Sequence, residues 1–599
     1  MKIALGLYTT LYSAPQALFD RTLSLVYDPV LSYLYSKPGN HIALYQSSQM
    51  IKHIKRERKE YKSLIALYTK RGDIEHLSGS WNESFLSLLP PKDRLGQIEK
   101  LTSEIRHEYG VLPKTAFFYG EVWQPYYISL MNNAGIDNLV ISTSSSVSGN
   151  GEESPFMMSE IGKRVNIYPF SDEASAAVRD YADGKTDYQG LRTKLLASIH
   201  SSEEAVIFLN IDQLVLGAVR EGRDLRPGDI ICDILERAQT VPLSAISVKK
   251  SSYLPQGWYS RDSETYSLHT PNSLFVRNAN YRYLYNRYIS IAENLQQRSN
   301  RFLKKDVTTA LFNTSIGNIF NYDSECAPLR YSVHASFWHA LIDAENCFLR
   351  DTDSPSMKEA DYEETGYSDC VMYSKGGYLA VVSPLGGSCA EFDYLPLSIN
   401  YFDTRPDVSA SDYSAPLMKS FEDTIVIGDA EWSTRDLLFD SEIVDRKRSE
   451  IVFSHTSDDV PFIISKRYKM KTNTFTLDTT IAPGAVRKLG GSYSISIYLS
   501  FPDAYLTLPE QKMDMVAKGR VEAKTVKYTS REAGAALSIS STDSFVLTEE
   551  TVSTQRMTGL GREDFVLCRK ITFTFPLEAE EDESVTYRLN LRDISNKQQ

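Results

Sequence analysis

The stretch TAFFYGEVWQPYYISLMNNAGIDNLVIS, residues 115–142, contains one full turn of an alternating pattern. TAFFYG (115–120) is a brief apolar run that ends in small residues, as buried parallel strands do. NLVIST (138–143) repeats the form, and a helical segment lies between them. Glu121 stands alone at the end of the first run. A buried carboxylate is costly unless it is paired or working, so Glu121 is either a strand-end ion pair or a functional group.

Working outward, the same alternation fills residues 1 to about 250. Strands are expected at 2–8, 42–46, 74–79, 115–120, 138–143, 205–210 and 243–248, with VNIYPF (165–170) as an additional candidate. Helical segments such as SQMIKHIKRERKEYKSLIALYTKRG and PKDRLGQIEKLTSEIRHEYG separate them, each closed by a glycine. Seven or eight such units predict an α/β domain, a (β/α)7-type parallel barrel over 1–280. Residues 281–350 read as helical, and the acidic stretch 351–369 reads as a linker. From 370 to 599 the period changes to two, as in YLAVVSPLGG and SYSISIYLSF, predicting an all-β C-terminal antiparallel β-sandwich.

Net charge is −12 and is spread along the chain, which argues against nucleic acid or an anionic membrane as partner. The 37 tyrosines suit sugar-stacking clefts and β-rich cores equally. Six dispersed cysteines show no metal-ligand spacing and read as free thiols. The N-terminal apolar run is interrupted by Tyr8 and Thr9 and reads as a strand, and no window is long enough to span a membrane. A cytoplasmic protein is expected; the sequence leaves a homo-oligomer open. His334 and His339 lie five apart on one helix, a spacing that does not put two ligands on one face, so both read as packing or surface residues.

Function in a parallel barrel sits at the C-terminal strand ends. Those ends read Tyr8-Thr9-Thr10, Tyr45-Gln46-Ser47, Gly79-Ser80-Trp81-Asn82-Glu83, Gly120-Glu121-Val122-Trp123 and Asn210-Ile211-Asp212-Gln213. Two carboxylates, Glu121 and Asp212, with Trp81 and Trp123 nearby, are the minimum equipment of a glycosidase. Asp212 reads equally as a turn residue bonded to its own backbone.

GEVWQPYYISLMNNAGIDNLVIS resembles the fourth strand and following helix of glycoside hydrolase family 57, the α-amylase and 4-α-glucanotransferase group. SWNESFLSLLPPKDRLGQI is similar to its second motif and IFLNIDQLVLG to its fourth. SPLGGSCAEFDY and AEWSTRDLLFD are similar to strands of its C-terminal domain. The resemblance implies an α-glucan or malto-oligosaccharide ligand, no obligatory cofactor, Glu121 as nucleophile and Asp212 as acid/base. The departures are specific. The first motif's histidines are absent from Leu7-Tyr8-Thr9-Thr10-Leu11-Tyr12, and the second strand's histidine from Leu44-Tyr45-Gln46-Ser47-Ser48. The fourth motif's glutamate is Leu214, and an aromatic-His loop reads Ile319-Phe320-Asn321-Tyr322. Aligned without a gap, the nucleophile falls on Gly120; a one-residue deletion would return it to Glu121.

A retaining glycosidase needs two carboxyls about 5–5.5 Å apart, one of them with a raised pKa. The expectation is a family 57-like pseudoenzyme that binds α-glucan with catalysis lost or much reduced. Trp81, Glu83, Trp123 and Trp258 are its candidate binding residues. Each tryptophan has an alternative as core filler, and Glu83 has one as a helix-start cap. An active retaining α-amylase or glucanotransferase using Glu121 and Asp212 is the alternative. A structural or assembly role without glucan binding is the third reading.

Overall fold

Strand β1 (Lys2–Thr9) carries Ile3, Leu5 and Leu7, none more than 2% exposed, and Ala4 between them is equally buried. Both faces are covered, which is the situation of a parallel strand inside an α/β layer. The computed structural model describes residues 2–10, 16–118, 120, 122–142, 154–170, 172–199, 204–222, 225–248, 250–258, 275, 278–297, 300–314, 317–320, 327–350, 357–374, 376–405, 417–508, 521–558 and 561–595.

The chain divides into two units. Met1–Val276, Phe312–Val333 and Gln555–Glu563 make the first, and Arg277–Leu311, His334–Thr554 and Asp564–Gln599 the second. In the first unit β2 (Ile42–Gln46), β3 (Ile74–Ser78), β4 (Thr115–Phe117) and β5 (Asn138–Ile141) follow β1 in parallel register. β6 (Phe156–Glu160) and β7 (Lys163–Pro169) form a hairpin whose second strand pairs in parallel with β5. β8 (Glu204–Asn210) returns to the free side of β1, from Lys2↔Glu204 to Tyr8↔Asn210. The seven parallel strands thus run β8-β1-β2-β3-β4-β5-β7, a curled half-barrel; no β7–β8 ladder closes it among the described residues. Phe170, just past β7, meets Phe208 of β8 at 5.7 Å between ring centroids.

VNIYPF is therefore a regular strand, whereas the strand expected at 243–248 is not present. Leu243–Ala245 is a single helical turn, and the pairing with β1 falls earlier, at Gln239–Thr240. Pro242 has no N–H to give a ladder, and the Leu243 N–H is taken by the Glu75 carboxylate at 3.1 Å. The expected linker also carries structure: Lys358–Ala360 pairs antiparallel with Asp369–Tyr373.

The second unit is β-rich and antiparallel. It contains a five-stranded sheet between Lys358 and Asn400 and most of a twelve-stranded sheet between Glu422 and Asp593. Period-two burial is clear in Phe462–Lys471, where Phe462, Ile464, Lys466, Tyr468 and Met470 point inward. Phe392 of the smaller sheet stacks on Phe475 of the larger at 5.1 Å. His334 is fully buried with Nδ1 3.0 Å from Asp403, whereas His339 is largely exposed. The cysteines described are free thiols; Cys326 lies outside the described residues. No described helix is long and apolar enough to cross a membrane.

Candidate active site

Three helices set the site's side chains at the C-terminal ends of the parallel strands. α1 (Ser48–Glu57) starts at Ser47, whose hydroxyl caps the Met50 N–H, and buries Met50, Ile51 and Ile54 at helical spacing. α2 (Pro91–Tyr109) begins with proline at its first position and stops at left-handed Gly110. α3 (Ile211–Glu221) is capped by Asn210, whose side-chain oxygen accepts from the Asp212 and Gln213 N–H groups at 2.9 and 3.2 Å.

That cap places Asp212 in the first turn of α3, 6% exposed, against the end of β1. Thr9 Oγ1 donates to Asp212 Oδ1 at 2.7 Å, and the Thr10 N–H and hydroxyl donate to Oδ2 at 2.5 and 3.2 Å. Donors on both oxygens and a helix N-terminus suit a carboxylate anion. Thr9 and Thr10 stand in the stretch where the first motif's histidines were expected. Their role was not foreseen, although two hydroxyls at a strand end opposite an acid are the available signal.

The strand ends beside Asp212 are closed by aromatics. Tyr8 packs between Phe117 and Phe208 at 4.8 and 5.2 Å, and Tyr45 meets Phe117 at 5.1 Å. Burial, with the Glu83 charge adding to it, holds the Tyr45 hydroxyl's pKa well above its ordinary value. Gln46, where a histidine was expected nearby, is buried between Tyr27 and Tyr109 at 3.1 and 3.0 Å.

Gly120 is the position to which the gapless alignment assigns the nucleophile. Its φ is +69°, in the left-handed region, and a Cβ built there would lie 2.3 Å from the Phe85 ring. Backbone and neighbour together disfavour a side chain there. Glu121 lies outside the described residues, so no carboxyl–carboxyl distance exists for it. Trp123 is fully buried, gives its N–H to the Leu254 carbonyl at 2.9 Å and packs on Tyr127. Trp258 pairs through its backbone with Val122; its side chain lies outside the described residues, as do Asn321 and Tyr322.

The loop after β3 differs in character. Glu83 is 1% exposed and has φ +54°, a strained setting for a non-glycine residue. It does not cap α2, which starts at Pro91. Asn82 is held by Ser48 Oγ at 2.7 Å, by Gln97 Oε1 at 3.3 Å on its N–H, and by the Asn313 carbonyl at 2.7 Å. Trp81, 4% exposed, has Lys52 and Lys100 over its ring, 5.0 and 4.9 Å from the centroid. No cluster of three metal-ligating side chains exists among the described residues.

Residues 7–204 match the model of the family described as Glycosyl hydrolase family 57. A segment of 156 residues, 25% of this chain and 23% of its relative, is 28% identical to alpha-amylase 1 of Dictyoglomus thermophilum. Another of 151 residues, 24% of this chain and 23% of the relative, is 25% identical to the 4-alpha-glucanotransferase of Thermococcus kodakarensis. The match thus spans about a quarter of these relatives' length. The crystal structure of 4-alpha-glucanotransferase from Thermococcus litoralis superimposes with a TM-score of 0.79 at 15% identity, covering 99% of this chain and 100% of that one; this likeness is one of fold.

Proposed function

We propose that this chain, which belongs to glycosyl hydrolase family 57 through its residues 7–204, binds α-glucan at the strand ends of its half-barrel and has lost efficient hydrolysis. Gly120 carries the reading. The position a gapless alignment assigns to the nucleophile is a glycine, with no carboxyl, in a left-handed backbone and with the Phe85 ring against its Cβ space. The Thr9 and Thr10 donors on Asp212 support the same conclusion, since they favour the anion at the carboxyl that would have to protonate the leaving group. The finer architecture we infer is a (β/α)7-type barrel with a β-sandwich domain.

Purified protein incubated at length with maltoheptaose tests this, beside Glu121→Gln and Asp212→Asn variants, with binding followed by calorimetry. Bound and unchanged maltoheptaose is the expected result. New oligosaccharides that vanish in both variants would establish instead a retaining enzyme with Glu121 as nucleophile. Neither binding nor turnover would leave a structural role.

A further inference from the structure

Around Trp81, two lysines and two buried nitrogen donors gather that no acceptor among the described residues meets. Lys52 comes from α1 and Lys100 from α2, and both ammonium groups lie within about 5 Å of one indole centroid. Among the described residues no carboxylate lies within 4.0 Å of either ammonium. Glu104, one turn beyond Lys100, acts on both only at longer range and is itself bonded to Lys55 at 3.0 Å. The Trp81 indole N–H and the Gln97 side-chain NH2 are buried and unpartnered as well. Gln97 is 1% exposed, lies one turn before Lys100, and its oxygen is tied to the Asn82 N–H beside Trp81. Phe312 walls one side, 5.5 Å from the Lys100 ammonium and pressed onto α2 at Gly96. Burial depresses both lysines, with the Arg56 charge adding to it at Lys52 and the Lys52 charge at Lys100, which falls to about 8. Buried donors and like charges cost free energy when no acceptor meets them.

We propose that Lys52, Lys100, Gln97 and Trp81 form a subsite for a phosphate monoester carried on a sugar. A phosphate monoester brings close to two negative charges and three acceptor oxygens to four donors, where a carboxylate brings one charge and two oxygens. The sugar half of this inference rests on the glucan-binding reading above. The anion half stands on the donors alone.

The full-length protein is titrated by calorimetry and tryptophan fluorescence with inorganic phosphate, glucose 6-phosphate, glucuronate and maltoheptaose. The same titrations are run on Lys52→Met/Lys100→Met and, as a control, on Lys447→Met; circular dichroism confirms that each variant is folded. Expected is glucose 6-phosphate binding at least about tenfold tighter than glucuronate, with the preference abolished in the double variant and kept in the control. Phosphate binding that the double variant loses, without any maltoheptaose binding, would uphold the anion subsite and sink the glucan reading. Maltoheptaose binding with no response to either phosphate ligand would do the reverse. An equal response to glucuronate, or a phosphate preference that survives the double variant, overturns the assignment.

Discussion

The two units bury lysines in opposite ways. In the second, Lys466 is fully buried, but it is paired with Asp423 and its ammonium donates to the carbonyls of Gly386, Gly387 and Phe421 at 3.2, 3.1 and 2.6 Å. Arg287 is treated alike: fully buried, it forks onto Glu391 through two 2.7 Å bonds and also reaches Glu345. In the first unit Lys52 and Lys100 are half-buried, and an indole is their main neighbour. A cation with every donor matched holds a fold together. One whose donors are left open is better explained by something that arrives later.

The largest effect should come from Lys466→Met. It takes the cation from the buried Asp423 carboxylate and a donor from three carbonyls, a loss of about 3–5 kcal/mol for a broken buried pair. Denaturant unfolding followed by β-sheet circular dichroism should show the transition of the second unit moving to lower denaturant. An unshifted transition would mean that the pair contributes nothing net.

Acid should act on the first unit next. His76 is buried beside Thr69 Oγ1 at 2.8 Å and stacked on Tyr109, and burial lowers its pKa from 6.5 to about 3. The unfolded chain therefore takes up a proton that the folded one refuses. His76 costs nothing above pH 6.5, and stability falls as pH drops from there towards 3, by on the order of a few kcal/mol at pH 4. Unfolding measured from pH 7 to 4 should lose part of this slope in His76→Phe, and an identical slope would assign the acid sensitivity elsewhere.

Gly120→Ala follows, at about 1–3 kcal/mol, from a strained φ and overlap with Phe85. Gly120→Glu should be no more active on maltoheptaose than the parent chain; a gain in turnover would show that the backbone there can be recast as a nucleophile's strand.

The smallest change in stability is expected from Lys52→Met, within about 1 kcal/mol, because the charge removed has no matched partner. Its sharper signature is electrostatic. With one like charge gone, Lys100 should titrate above its present value of about 8, as NMR of dimethylated lysine would register. A Lys100 unmoved by that substitution would dissolve the contrast between the two units.

Much of the frame was legible because its signals are local. Buried parallel strands such as AVIFLN announce themselves by continuous apolar runs, and PKDRLGQIEKLTSEIRHEYG, closed by its glycine, is α2. Leu243–Ala245 misled because LSAISV has a strand's composition, and only the Glu75 carboxylate from a neighbouring strand diverts its first N–H. Trp123 is ambiguous in the same way. A tryptophan at a strand end fits a sugar platform and a core equally, and the Leu254 carbonyl that takes its N–H lies 131 residues away.

The sequence by itself determined the α/β half followed by a period-two β half, the family resemblance, and the missing histidines, because residue type and spacing along the chain are sufficient for each. Only the tertiary structure decided that Asp212 is held by Thr9 and Thr10 across about 200 residues, that Phe85 closes the space at Gly120, and that two lysines from different helices share Trp81. These are meetings between distant segments, and no local propensity encodes which side chains the packed strands and helices bring within 5 Å of one another.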